Sequence, residues 1–303
     1  MAITKKKASL FILKLSISAI SLWLVFSKTD IGRTYTILKD LSIYYFLLAS
    51  LLYVTSLFVS SIRWKLLLMG GFRIRKLFSL YMIGAFFNTI LPGVVGGDAV
   101  KAYYLNKDAR KVSLTLASIF MDRYFGLISL VIIGMTAYPF AIDYFGGSGF
   151  RWLMPIMFIG AVVGSLLFFG LKVGKRFQLI SEFYGYFSSL KTRKDIIAKA
   201  LLLSIVIQFL NFTKIIILAY AMGEKIPLLT FFIFLPIVVI ITSLPISISG
   251  LGLREGSSVL LFGLIGIRPE AATALALAWF FAVVTGSLPG LVLYLARADR
   301  TAD

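Results

Sequence analysis

The chain has 303 residues, 59% of them apolar, with a mean hydropathy of +0.95 and a formal net charge of +18. Soluble domains carry roughly 45–50% apolar residues, so a soluble fold of this length has no interior large enough, and the bilayer core is the remaining solvent. The absence of Cys and His excludes disulfides and thiol catalysis and removes the commonest metal ligand and the usual neutral-pH base. No catalytic residue, metal or cofactor is expected, and the chain does not read as an enzyme.

The apolar runs Ala8–Phe26, Leu41–Ile62, Leu114–Phe140, Leu153–Leu171, Ile196–Met222, Leu228–Ile248 and Ala271–Ala296 each approach or exceed the ~20 residues of a spanning helix. They predict an all-α, polytopic membrane bundle of about seven to eight spans forming one transmembrane domain over residues 1–303. The first run has a basic start but contains Lys14 and leads to no small-residue cleavage site. It reads as a retained helix and not a signal peptide, with Lys14 snorkelling to the interface. Arg63-Trp64-Lys65 at the end of the second run reads as an interfacial anchor.

Leu77–Leu91 is too short to span and is broken by Pro92-Gly93, with Gly96-Gly97-Asp98 and then Lys101 and Lys107–Lys111 following. Basic charge on both flanks predicts a segment that enters and leaves on one side, a re-entrant or broken-helix hairpin near residues 77–112 within an N-terminal half of residues 1–140. Lys172–Lys199 is too charged to span. Phe177, Ile180, Tyr184, Phe187 and Leu190 recur there at helical spacing, which suits an amphipathic helix on the cytoplasmic surface, with a solvated loop as the alternative. The C-terminal half, residues 196–303, has its own interruption at Leu244–Gly256, giving a second hairpin near residues 228–267 that opens from the opposite face. Two short interrupted segments entering from opposite faces are the pattern of an inverted-repeat transporter.

Most of the 31 Lys and Arg residues lie in Lys5–Lys7, Arg63–Lys76, Lys101–Lys111, Lys172–Lys199 and Arg297–Arg300. The opposite loops hold Lys28, Arg33, Lys39, Arg151, Lys225 and Arg268. The asymmetry predicts a multi-pass protein of the plasma (inner) membrane with both termini cytoplasmic. Scattered juxtamembrane cations suit anionic lipid head groups and not nucleic acid.

Charges within apolar segments are costly unless paired or hydrated. Asp122-Arg123 sits inside Leu114–Phe140, and its candidate partners are Asp98, Arg254 and Glu255 at the hairpin tips. Such a cluster is either a substrate-handling polar centre or a salt-bridge lock that staples the bundle. Lys214 stands in its own helix near Gln208 and Asn211. The Gly93, Gly96, Gly97 spacing is neither a Walker A loop nor a dinucleotide fingerprint, so ATP binding is not expected. The helix N-terminus after it would suit a lipid phosphate, or the glycines serve close helix packing.

The stretch Asn88-Thr-Ile-Leu-Pro-Gly-Val-Val-Gly-Gly-Asp98-Ala-Val-Lys101 resembles the N-x-x-L-P-G-x-x-G-G-D-x-x-R signature of the lysylphosphatidylglycerol synthase transmembrane family. Pro245-Ile-Ser-Ile-Ser-Gly250-Leu-Gly252-Leu-Arg254-Glu255 is similar to its second signature, and Arg63-Trp64 and Asp122-Arg123 fall where the family has R-W and D-R. Lys101 replaces the commoner Arg, keeping the charge but losing bidentate phosphate geometry, and Ser249 stands where Gly is frequent. The family's soluble lysyl-transferase domain has no counterpart in this sequence. The resemblance implies a flippase-like protein for a charged or glycosylated phospho- or polyprenyl-lipid. It places substrate contacts at Asn88, Asp98, Lys101, Asp122, Arg123, Arg254 and Glu255. Hairpin gating falls to Pro92, Gly93, Gly96, Gly97, Pro245, Gly250 and Gly252. Membrane lipids, anionic or aminoacylated or glycosylated, are the expected partners. A non-transporting partner of a separate lipid-modifying enzyme or glycosyltransferase, and a secondary transporter of a small soluble solute, are the alternatives.

Overall fold

The computed structural model describes residues 5–68, 70–90, 95–109, 112–171 and 178–299. The tip residues Pro92 and Gly93, and Phe177 in the linker, lie outside them. The described residues form helices and short turns and contain no strand. A backbone without water must satisfy its own polar groups, and a helix does so within each segment.

Helix α1 (Lys5–Ser27) leads into the short α2 (Ile31–Lys39), whose first turn is capped by the Asp30 carboxylate accepting from Arg33 N–H at 3.0 Å. Then follow α3 (Ile43–Leu68), α4 (Ile74–Ile90), α5 (Val95–Ala109) and α6 (Val112–Ala141). Two 3-10 turns lead to α7 (Leu153–Gly170), α8 (Gln178–Thr192), α9 (Lys194–Ala221), α10 (Leu228–Ser243), α11 (Leu253–Gly263) and α12 (Pro269–Asp299). Five runs, Ile43–Leu68, Val112–Phe145, Gly149–Gly170, Lys194–Ala221 and Pro269–Arg297, are long and apolar enough to cross a membrane. This is a polytopic helical membrane protein.

Between the long helices lie two short pairs. At 1.5 Å per residue α4 reaches ~25 Å and α11 ~16 Å, short of a ~30 Å hydrocarbon core. The apolar run Leu228–Ile248 has spanning length in sequence, yet its helix stops at Ser243. Pro245 disfavours the helical region for the residue before it, and Leu244 is extended, with ψ 134°. The chain then turns through Ser249, Gly250 and Gly252, all at positive φ, before α11 begins.

The elements recur in order. A long helix, a short pair and a long helix make up α3–α4–α5–α6, and again α9–α10–α11–α12. The packing follows the same exchange: α3 lies along α9, α4 packs on α12 as α10 packs on α6, and each short helix packs on its own partner.

Two close approaches depend on glycine. A Cβ on Gly97 of α5 would overlap the Gly84 carbonyl of α4, and the Asn88 side chain accepts from Gly97 N–H at 2.8 Å, fastening α4 to α5. A Cβ on Gly252 would lie 2.5 Å from Ser21 Cβ of α1. Helix α1 is also tied to the second turn by Ser18 Oγ, which accepts from Ile248 N–H at 2.9 Å.

Helix α8 packs against the bundle. Tyr184, Tyr186 and Leu190 are buried, Phe187 stacks on Phe169 at 4.1 Å, and Tyr186 OH donates to Leu67 O at 2.7 Å. By contrast, α7 has Met154 as its single buried residue. Its Ile156, Ile159, Leu166 and Leu167 point away from the protein, as a lipid-facing helix requires.

Candidate functional site

A cavity of about 910 Å³ lies between the two short helix pairs, lined by residues of α3–α7, α9, α10 and α12 and by the Leu244–Arg254 region. Five cations line it, Arg63, Lys101, Arg123, Lys214 and Arg254, against two carboxylates, Asp98 and Asp122.

Asp98 sits in the first turn of α5, where the helix dipole favours a carboxylate. It is held from two sides. Arg123 donates through Nε at 2.9 Å and Nη2 at 3.1 Å, and Lys101, one turn along, approaches to 2.7 Å. The Lys101 ammonium lies over the Tyr81 ring at 4.2 Å and is 2% exposed, whereas the Arg123 side chain is 46% exposed at the cavity rim.

One residue earlier on α6, Asp122 points elsewhere. Consecutive helical residues diverge by about 100°, so Asp122 meets Arg63 of α3 at 2.8 Å and accepts from the Tyr81 hydroxyl. Arg63 Nη1 completes the set by donating to Ser204 Oγ of α9 at 2.7 Å. Trp64 is fully buried, its indole N–H donating to Ser118 Oγ at 3.1 Å. The interfacial reading of Arg63-Trp64 is thereby corrected: α4, α6, α8 and α9 cover this end of α3 and turn both side chains inward.

The second short pair has its own charges. Arg254 donates to Glu255 Oε1 from Nε at 3.1 Å and Nη2 at 2.7 Å, and lies over the rings of Phe280 at 4.8 Å and Trp279 at 5.6 Å. Glu255 is fully buried, its other oxygen accepting from Gly252 N–H at 2.7 Å at the start of α11. Neither residue pairs with Asp122 or Arg123, the arrangement the sequence suggested. Lys214 is 3% exposed; its ammonium donates to Asn211 Oδ1 at 2.8 Å and lies 4.6 Å from the Tyr53 ring and 5.9 Å from the Trp279 ring. No carboxylate pairs with it among the described residues.

The tips themselves touch. Ser249 Oγ donates to the Asn88 carbonyl at 2.9 Å, joining the end of α4 to the turn before α11. Pro245 lies exposed on the cavity wall; Gly96 is part of the first turn of α5, and Gly250 packs on Thr242. Pro92 and Gly93 are outside the described residues.

Residues 11–290 match the family described as the lysylphosphatidylglycerol synthase TM region. The chain belongs to that family. Among curated relatives, a UPF0104 membrane protein of Pyrococcus horikoshii is 29% identical over 52% of this chain and 47% of its own length, so the match spans about half of that relative. UPF0104 membrane proteins of Methanocaldococcus jannaschii and Methanothermobacter thermautotrophicus are 25% and 22% identical. These alignments cover 83% and 84%, respectively, of both chains. No solved structure matches.

The site residues that sequence reasoning missed are Arg63, Tyr81, Ser204, Tyr53 and Trp279. Arg63-Trp64 carried a family signal, but the other four residues, all neutral, are indistinguishable from packing positions until the helices are brought together.

Proposed function

We propose that this family member translocates a charged or glycosylated lipid across the inner membrane without ATP. The observation that carries the reading is the charged cavity deep in an apolar bundle, set between two broken helix pairs and bordered by the sparsely packed α7. Ionisable groups at membrane depth mark substrate pathways when they face a cavity. Along the helix axes, Arg63 lies ~8 Å from the basic end of α3, whereas Lys214 lies ~11 Å from the opposite end of α9, so the polar lining extends through much of the bilayer. In this reading the head group passes along Asn88, Asp98, Lys101, Arg123 and Arg254 while its tails remain in lipid beside α6 and α7. Asp122 with Arg63 forms the staple.

The short pairs act as re-entrant hairpins, and residues 1–140 and 196–303 are inverted repeats joined by a cytoplasmic linker at 172–199, with both termini cytoplasmic. The recurrence of helix lengths and the exchanged packing support this, since inverted repeats place substrate at their interface and move by rocking. The Ser249–Asn88 contact closes the two tips against each other and is the contact such a motion would break.

The test is reconstitution into liposomes carrying fluorescent phosphatidylglycerol, phosphatidate and neutral lipid analogues, with a membrane-impermeant quencher added outside. Accelerated loss of inner-leaflet fluorescence, abolished by Asp98→Ala and by Arg254→Ala, is expected. No acceleration for any charged lipid would overturn the reading.

A further inference from the structure

Counting from each helix start brings out a correspondence between the two four-helix sets. Arg63 is the twenty-first residue of α3 and Lys214 the twenty-first of α9. Arg63 touches Ser204, the eleventh residue of α9, and Lys214 touches Tyr53, the eleventh of α3. The third member of each group is the eleventh residue of the following long helix: Asp122 of α6 beside Arg63, and Trp279 of α12 beside Lys214. The next position repeats the pattern. Arg123 of α6 meets Asp98 of α5, and Phe280 of α12 meets Arg254 of α11.

The two sets therefore share a frame but differ in charge. In the first, the buried cation has its acid, Asp122. In the second, an aromatic ring stands where that acid would be. Arg254 is matched by Glu255, but among the described residues Lys214 has an amide oxygen and two ring faces and no carboxylate. A buried ammonium without a carboxylate is costly at membrane depth, and it faces an open cavity.

We propose that the missing anion is supplied by the ligand: Lys214 and Arg254, with Asn211 and the Trp279 ring, form a phosphate subsite in the cavity. This rests on the lipid-handling reading above and narrows it to a substrate class. The head group is an anionic phosphate without a compensating ammonium. Both lining carboxylates are engaged, Asp98 by Arg123 and Lys101 and Asp122 by Arg63 and Tyr81, so an aminoacylated head group finds no free acid to receive its amine. Lys214 and Arg254 offer charge-assisted hydrogen bonds to phosphate oxygens, and Trp279 walls the site with its face to both cations.

The experiment is equilibrium binding to the full chain in nanodiscs of neutral lipid. Fluorescent dioleoyl phosphatidate is the probe, with unlabelled phosphatidate, lysyl-phosphatidylglycerol and inorganic phosphate as competitors. Phosphatidate is expected to compete and lysyl-phosphatidylglycerol to compete poorly. Lys214→Gln should weaken phosphatidate binding by about tenfold or more, the value of one charge-assisted bond, and Lys214→Arg should preserve it. Trp279→Asp places an acid where Arg63 has Asp122, and should abolish binding while leaving Lys214 in place. Competition by inorganic phosphate equal to that of phosphatidate would keep the anion site but assign it a soluble ligand. Binding indifferent to both Lys214→Gln and Trp279→Asp, or stronger for lysyl-phosphatidylglycerol, would overturn the proposal. Because binding is read without transport, intact Lys214-dependent binding in a protein that moves no lipid refutes the translocation reading alone. Transport with Lys214-independent binding refutes the subsite alone.

Discussion

Replacing Asp122 by Ala tests whether the Arg63 network staples the bundle. The change removes the acceptor of Arg63 Nε at 2.8 Å and of the Tyr81 hydroxyl, and leaves the guanidinium with Ser204 Oγ at 2.7 Å. Breaking a buried ion pair in a soluble protein costs about 3–5 kcal/mol. Interhelical hydrogen bonds in membranes are weaker, averaging about 0.6 kcal/mol, because the unfolded chain also finds partners in the bilayer. An orphaned guanidinium has fewer such substitutes than an amide or hydroxyl, so we expect Asp122→Ala to cost about 3 kcal/mol, the lower end of the soluble range. The paired variant Arg63→Leu/Asp122→Ala removes the stranded charge and should cost only about 1 kcal/mol, that of the unpartnered Tyr81 hydroxyl. Reversible unfolding by dodecyl sulfate in mixed micelles, followed by tryptophan fluorescence, measures all the variants. If the paired variant loses as much as the two single changes added together, Arg63 and Asp122 are not coupled and the staple is refuted.

Gly97→Ala drives a methyl group into the Gly84 carbonyl, and overpacking of this kind costs about 1–3 kcal/mol or more; a large fall in the thermal midpoint by fluorescence-detected size exclusion is the expected result. Gly252→Ala combines strain at φ 81° with a 2.5 Å approach to Ser21, and should loosen α1, seen as faster proteolysis of the α1–α2 connection. Ser249→Ala removes the hydroxyl that donates to the Asn88 carbonyl at 2.9 Å; lipid movement in the liposome assay is expected to accelerate as the tips part more readily, and an unchanged rate would show that this contact does not hold the motion back.

Much of this arrangement was readable from the chain, for reasons that differ by residue. Asp122 and Arg123 were visible because ionisable groups inside an apolar run have few innocent explanations. The end of α10 was readable only in part. Pro245 signalled a break, but the apolar residues on to Ile248 hid that the helix stops at Ser243. Partner choice was legible for Arg123 and not for Asp122. Asp98 carried a charge to complement, whereas Asp122 found a cation that resembled an interface anchor. Hydropathy reports what a segment contains, and depth is decided by which neighbours cover it. Tyr186 of α8 reaching Leu67 O is such a covering contact, from a segment whose sequence suited a helix resting on the surface.

The glycine contacts also bear on mechanics. Gly97 meets the Gly84 backbone, Gly290 of α12 meets the backbone of Met82 in α4, and Gly286 of α12 meets Ser50 O and Tyr53 in α3. With no side chain between them, α3, α4, α5 and α12 pack backbone to backbone, so a rocking of one repeat on the other would pivot at this contact and not slide along it. The junction of α6 with α7 is cushioned instead by the Met154 side chain against Gly134, and methionine adapts to changes in spacing. The compliant seam of the molecule is therefore on the α7 side, the side that faces lipid.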